Sequence, residues 1–212
     1  MESNFDLYNP AMLTRENVTL SMDVDDLFFL KSMQHRIIEV SCVIDDTIAQ
    51  LIQRSILQIN QEDKGVPIEE REPIKILITS DGGDTFSGLA IIDAIQNSKT
   101  PVWTINVGRE YSMAAIIGVA GHKRYATKNA SFLIHDGAVS IQDSGGKVND
   151  FIKFNLSVDT RIKNIVISNT NITSQKYNAR ARNEWYFFAD EAKKLGMIDG
   201  IIGEDIDLDE II

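Results

Sequence analysis

The feature that most restricts the fold is a series of apolar runs separated by helix-length segments. "RIIEVSCVI" (36–44) is β-branched and reads as a buried strand. "IKILITS" (74–80) has almost no polar alternation, as expected of a parallel strand covered on both faces. "PVWTINV" (101–107) repeats the pattern. Between the first two runs, "TIAQLIQRSILQIN" carries Ile48, Leu51, Ile52, Ser55, Ile56 and Ile59 at helical spacing, with Asp45 or Asp46 placed to cap it. "DGGD" (81–84) is a turn, and "FSGLAIIDAIQ" (86–96) supplies the next helix. "SMAAIIGVAG" (112–121) is a short, tight helix, followed by strands in "KRYAT" and "SFLIH" (131–135). Strands alternating with helices imply crossover connections, hence an α/β fold with a largely parallel sheet.

The ends and the last third differ in character. Residues 1–30 are acidic and mixed, and read as an N-terminal arm. Residues 147–168 form one long helix with Phe151, Phe154, Val158, Ile162 and Ile165 at three- or four-residue steps. Ile152, Leu156 and Val166 widen that face beyond what one small domain covers from one side, so the helix is either a core helix or an oligomer-forming arm. Residues 203–212 are an acidic tail with an apolar tip.

Charge and composition exclude several classes. The net charge of −10 comes with no basic block, which argues against nucleic-acid binding, where Lys and Arg must replace phosphate counterions. The single cysteine, Cys42, allows no internal disulfide. The start shows no basic end leading into an apolar run, and no stretch approaches the roughly 20 apolar residues of a membrane span. The expectation is a protein of a reducing cytoplasm. No spaced Cys/His cluster suggests a metal, and no phosphate-binding Gly-rich loop ending in Lys-Ser/Thr suggests ATP, so no cofactor is expected.

The chemistry concentrates where "PVWTINV" hands over to the small helix. Ser112 stands there, and it is either a helix cap or a nucleophile held at the electropositive helix start. It lacks the Gly-X-Ser-X-Gly surroundings of α/β-hydrolases, since Glu110 and Ala114 hold the flanking places. Of three histidines, His35 and His122 read as solvated. His135 ends a strand, and ligands gather at the carboxyl ends of parallel strands. It is either a structural histidine or the base for Ser112. Gly82 and Gly83 allow a backbone N–H to approach a bound carbonyl, or form an ordinary turn.

The order of these segments is more specific than any one of them. "ITSDGG", "GREYSMAA", "FLIHDG" and "ADEAKKLGMIDGII" together resemble the family of ClpP, the proteolytic subunit of the Clp protease, over about residues 35 to 202. That family has Ser-Pro-Gly-Gly, Ala-Ser-Met-Gly/Ala, Met-Ile-His-Gln-Pro and Ala-X-Glu-Ala followed by Tyr-Gly-Leu-Ile-Asp. The resemblance implies a ClpP/crotonase-type spiral of repeated ββα units over 31–202, with 147–168 as a protruding handle helix. It implies a serine peptidase with Ser112 as nucleophile, His135 as general base, and the N–H groups of Gly83 and Met113 as oxyanion hole. An ungapped count back from Ala189 makes Glu184 the third triad member. One inserted residue would make it Asn183, which could orient the histidine but not stabilise its charge. It also implies a homo-oligomer of two stacked heptameric rings, an AAA+ unfoldase partner, and peptide or unfolded protein as substrate. Three departures stand out: Asp81 replaces the family proline, Glu110 and Tyr111 replace small residues and are expected to crowd the site, and "HDGAVSIQDSGGK" replaces His-Gln-Pro and the segment after it. The alternatives are a crotonase-type acyl-CoA enzyme using the same oxyanion donors without a serine nucleophile, and a weak or inactive ring subunit.

Overall fold

Four strands lie side by side in parallel in the order β1–β2–β3–β4, and β7 extends the sheet. They are β1 (Ile37–Val40), β2 (Ile74–Ser80), β3 (Val102–Tyr111), β4 (Lys123–Thr127) and β7 (Gly200–Ile202). The computed structural model describes residues 24–137 and 139–211. Helices α1 (Val24–Gln34), α2 (Asp46–Glu62), α3 (Thr85–Asn97) and α4 (Met113–Gly118) alternate with the first four strands. Then β5 (Ser131–Ile134) leads through a loop to the long α5 (Gly145–Asn169), α6 (Ser174–Arg180), β6 (Trp185–Phe188) and α7 (Ala189–Lys194). Helix α1 begins within the segment read as an arm, and residues 1–23 lie outside the described residues.

Helix α2 forms where its spacing predicts. Asp45 is the cap, its carboxylate accepting from the N–H groups of Thr47 and Ile48. Ile48, Ile52, Ile56 and Ile59 are buried, each contributing about 1.5–3 kcal/mol of transfer free energy. Two expectations need correction. β2 is not covered equally on both faces: Ile74, Ile76 and Ile78 are buried under α2, α3 and α4, while Lys75, Leu77 and Thr79 alternate with them and stay half-exposed. The other face carries only a small cluster, in which Ile211 of the tail packs with Ile105 and Tyr125. β1 also ends four residues early, at Val40, because the chain after it is drawn toward the turn beyond β2. The Cys42 carbonyl accepts from Ser80 Oγ, and Ile44 bonds that turn on both sides, its N–H to the Gly82 carbonyl at 2.9 Å and its carbonyl from the Asp84 N–H at 2.7 Å.

β3 reaches four residues beyond its expected end and serves two partners. Its first half pairs β2 and β4. Its last residues, Arg109 to Tyr111, pair β5 in parallel, and β5 pairs β6 antiparallel. This branch places the candidate site. Helix α5 extends beyond the predicted 147–168 at both ends, taking Gly145 and Gly146 into its first turn. Only Val158 and Val166 of it are buried, whereas Ile152, Phe154 and Leu156 are exposed.

Candidate active site

The strand carrying Ser112 ends in a forced turn. Ser112 N–H still donates to the Leu133 carbonyl of β5 at 2.9 Å, as a strand residue would. Its own carbonyl accepts from Ala115 N–H at 3.0 Å, as a helix start would. Serving both, Ser112 takes φ 55° and ψ −124°. A non-glycine residue held there costs on the order of 1–3 kcal/mol, and such strain persists only where the surroundings over-determine it. The hydroxyl makes no capping bond, so the capping alternative fails. A serine on a strained strand-to-helix turn is the backbone arrangement of a nucleophile elbow, reached here without flanking glycines.

The turn after β2 lies directly against this elbow. At Gly82 (φ 93°) an added Cβ would sit 2.6 Å from the Tyr111 carbonyl oxygen and 2.9 Å from Met113 N. At Gly83 (φ 154°) it would sit 2.2 Å from the Ile44 carbonyl oxygen. Only glycine fits either place. Neither Gly83 N–H nor Met113 N–H is spent on a described backbone acceptor.

Ser112, Met113, Gly83 and His135 all line one cleft of about 430 Å³, together with Asp81 and Tyr111. His135 sits one residue past the end of β5, and the next residue, Asp136, donates its N–H to the Ala181 carbonyl at 2.7 Å. The structure does not join the two side chains: neither Ser112 Oγ nor the His135 imidazole has a hydrogen bond to a described residue. Glu184 does not line the cleft. The β5–β6 register pairs Ile134 with Trp185, which sets His135 and Glu184 just beyond the pair, but the Glu184 carboxylate accepts from Tyr186 Oη at 3.0 Å. Asn183 does not line the cleft either; its main-chain N–H donates to the Arg180 carbonyl at 3.1 Å. His35 and His122 lie off the cleft. His122 is not simply solvated, since its Nδ1 accepts from Val102 N–H at 2.9 Å and burial lowers its pKa.

Glu110 and Tyr111 part company. Tyr111 reaches the cleft, its hydroxyl 2.9 Å from Ser131 Oγ and its ring edge-on to Tyr186. Glu110 does not crowd the site but turns into the core, where a Cβ on Gly118 would lie 2.1 Å from its Oε2. Burial pushes the Glu110 carboxyl well above its ordinary 4.5, favouring the neutral acid.

A second cavity, of about 310 Å³, shares His135 and is lined by Asp136, Asp159, Tyr177 and Arg182 among others. Burial, then the charge of Asp136, raises the Asp159 pKa. Burial, then the two carboxylates, pushes the Tyr177 phenol up to about 12. Sequence reasoning missed these residues. Asp136 stands beside His135 in the chain, but nothing local marks Asp159 or Tyr177. Among the described residues no group of three or more His, Cys, Asp or Glu is set to hold a metal ion. No helix among them is long and apolar enough to cross a membrane.

A sequence model of the family described as Clp protease matches residues 23–205, most of the chain and all of the cleft. The chain belongs to the Clp protease family. It is 30% identical over 176 residues to the ATP-dependent Clp protease proteolytic subunit 2 of Bacillus licheniformis, covering 82% of this chain and 90% of that protein. The mixed α/β architecture with its parallel sheet is consistent with a Clp protease, and the crotonase-type alternative is not favoured.

Proposed function

We propose that this chain is a ClpP-like serine peptidase subunit in which Ser112 attacks a peptide carbonyl, His135 is the general base, and the N–H groups of Gly83 and Met113 hold the oxyanion. The observation that carries the reading is the strained Ser112 elbow facing the same cleft as His135 and the glycine turn. His135 takes the Ser112 proton as the Oγ–carbon bond forms. The carbonyl oxygen becomes an anion beside the two N–H groups, which strengthen their hydrogen bonds as charge develops. When the intermediate collapses, His135 returns the proton to the leaving amine, and water later releases the acyl group by the same path.

Glu184 is the third member of the triad in this reading. It must leave Tyr186 and meet His135 from across the β5–β6 pair. The arrangement in a single chain supports a site that is completed on assembly. The assembly proposed is two stacked heptameric rings in the cytoplasm, with an AAA+ unfoldase delivering unfolded protein. The relative is itself named an ATP-dependent protease subunit.

Labelling with a fluorophosphonate probe and hydrolysis of short fluorogenic peptides test the chemistry together. Wild type should label and hydrolyse. Ser112→Ala and His135→Ala should each abolish hydrolysis, and the double variant should be no worse than either, because triad members act as a unit. Hydrolysis retained by Ser112→Ala refutes the assignment.

A further inference from the structure

β3 does not run straight into Ser112. Its register with β2 passes from Ile78↔Asn106 to Ser80↔Glu110, so two steps on β2 face four on β3. The surplus residues form a bulge, a device that re-aims the residues after it. On its inner side the buried Asn106 closes the bulge, accepting from Gly108 N–H and donating to the Ser131 carbonyl, each at 3.0 Å. On its outer side Arg109 folds back onto Asp81 with two bonds, Nε to Oδ1 at 2.6 Å and Nη2 to Oδ2 at 3.0 Å.

The two ends of that ion pair are placed with consequence. Asp81 immediately precedes Gly82 and Gly83 and lines the cleft, while Arg109 lies on the bulge three residues before Ser112. Where the resembled family has proline, whose ring fixes φ, aspartate brings no ring, and the turn is held by Ile44 on one side and by the Gly82 N–H on Ser80 Oγ at 3.1 Å. The two-point tether between planar groups adds a restraint on the outer side, where the Asp81 side chain is otherwise unheld by a described residue. We propose that Asp81 and Arg109 are a positioning pair that sets the glycine turn against the Ser112 elbow, fixing the distance between the Gly83 N–H and the carbonyl that Ser112 attacks. This rests on the roles proposed above for Gly83 and Ser112. Neither member of the pair is itself a catalytic residue.

Two signatures distinguish such a pair. A misplaced oxyanion donor weakens an interaction made chiefly in the transition state, so kcat falls while KM stays. Both side chains are substantially exposed, so salt screens the tether. The test uses the assembled wild-type protein, Asp81→Asn, Arg109→Gln, the double variant Asp81→Asn/Arg109→Gln, and the reversed pair Asp81→Arg/Arg109→Asp. Peptide hydrolysis is measured at 50 and 500 mM NaCl, beside fluorophosphonate labelling and thermal unfolding. Each single variant should lose about 2- to 5-fold in kcat with KM within about twofold, as expected for an exposed bidentate pair. The neutral double variant should be no slower than either single. The reversed pair should recover most of the loss, and only proteins with an intact pair should slow at high salt. Wild-type kcat in both singles, a change confined to KM, or losses that multiply in the neutral double variant would overturn the pair, whether or not the reversed variant folds. Failure of the wild type to label or hydrolyse would instead overturn the serine-peptidase reading, so the two failures are distinct.

Discussion

Replacing Glu110 by glutamine should leave the protein more stable than wild type by a margin that grows as pH rises, and the slope of that margin can be worked out. Glu110 is buried between β3 and α4, and burial lifts its carboxyl well above the ordinary 4.5. In the unfolded chain it ionises near that ordinary value. Between the two values the folded state holds a proton that the unfolded state has released. Stability from this residue is therefore fully present below the unfolded pKa and is lost as pH climbs toward the folded one, by about 1.4 kcal/mol per pH unit. For a chain of this size that is a fall of roughly 3–6 °C in unfolding midpoint per pH unit. Glutamine fills the same volume and carries no proton to lose, so its curve should lack this component. The assay is thermal unfolding of wild type and Glu110→Gln from pH 5 to 8 at constant ionic strength. The difference between the curves isolates the one residue from every other titrating group, and it should widen in favour of glutamine as pH rises. Parallel curves would mean that Glu110 ionises normally and that its enclosure is not what the packing implies.

The site and the handle give three further expected outcomes. Gly82→Ala adds a methyl 2.6 Å from the Tyr111 carbonyl oxygen at φ 93°, so it should cost about 2 kcal/mol or more and slow fluorophosphonate labelling; an unchanged labelling rate would refute the contact. Phe154→Asp or Ile162→Asp should split the assembly into smaller species with little peptidase activity by analytical ultracentrifugation, since Phe154 is exposed on α5 and stacks on Phe86 at 6.0 Å; an intact large species would show that this face is not an interface. Glu184→Ala should lower kcat by several powers of ten and Asn183→Ala by less, the reverse order moving the third triad role to Asn183.

The first half of the site is readable in the sequence for a physical reason. β-branched runs, helical spacing and the small residues after Ser112 are local signals, and a parallel sheet delivers the residue beyond each strand to the same edge. Hence Ser112 and His135 could be placed at one edge with the Gly82–Gly83 turn near them, whereas Met113 enters only through the family resemblance. The remainder depends on contacts that no local pattern encodes. Strand β6 has a short alternation, with Trp185 and Phe187 inward and Tyr186 and Phe188 outward, and it is only four residues long, just ahead of the segment that carries the family motif. The bond from Tyr186 Oη to the Glu184 carboxylate depends on side-chain conformations that no local pattern encodes. The one-sided cover of β2 depends on where Ile211 returns, far along the chain. The bulge before Ser112 is likewise silent, because nothing in "NVGREY" alone tells two surplus residues from a straight strand.

The branch at β3 separates where the proposed nucleophile and base stand from what surrounds them. Ser112 and His135 lie just past adjacent strand ends, and their spacing is fixed by main-chain pairing, Tyr111 opposite Leu133 and Ser112 N–H on the Leu133 carbonyl. Backbone hydrogen bonds do not depend on which side chains the residues carry. A chain built this way can exchange the lining of its cleft, as it does with Asp81 and Tyr111, without shifting the two groups apart. The frame rests on main-chain pairing and the lining on side chains, so the lining can change in such a chain while the proposed nucleophile and base keep their spacing.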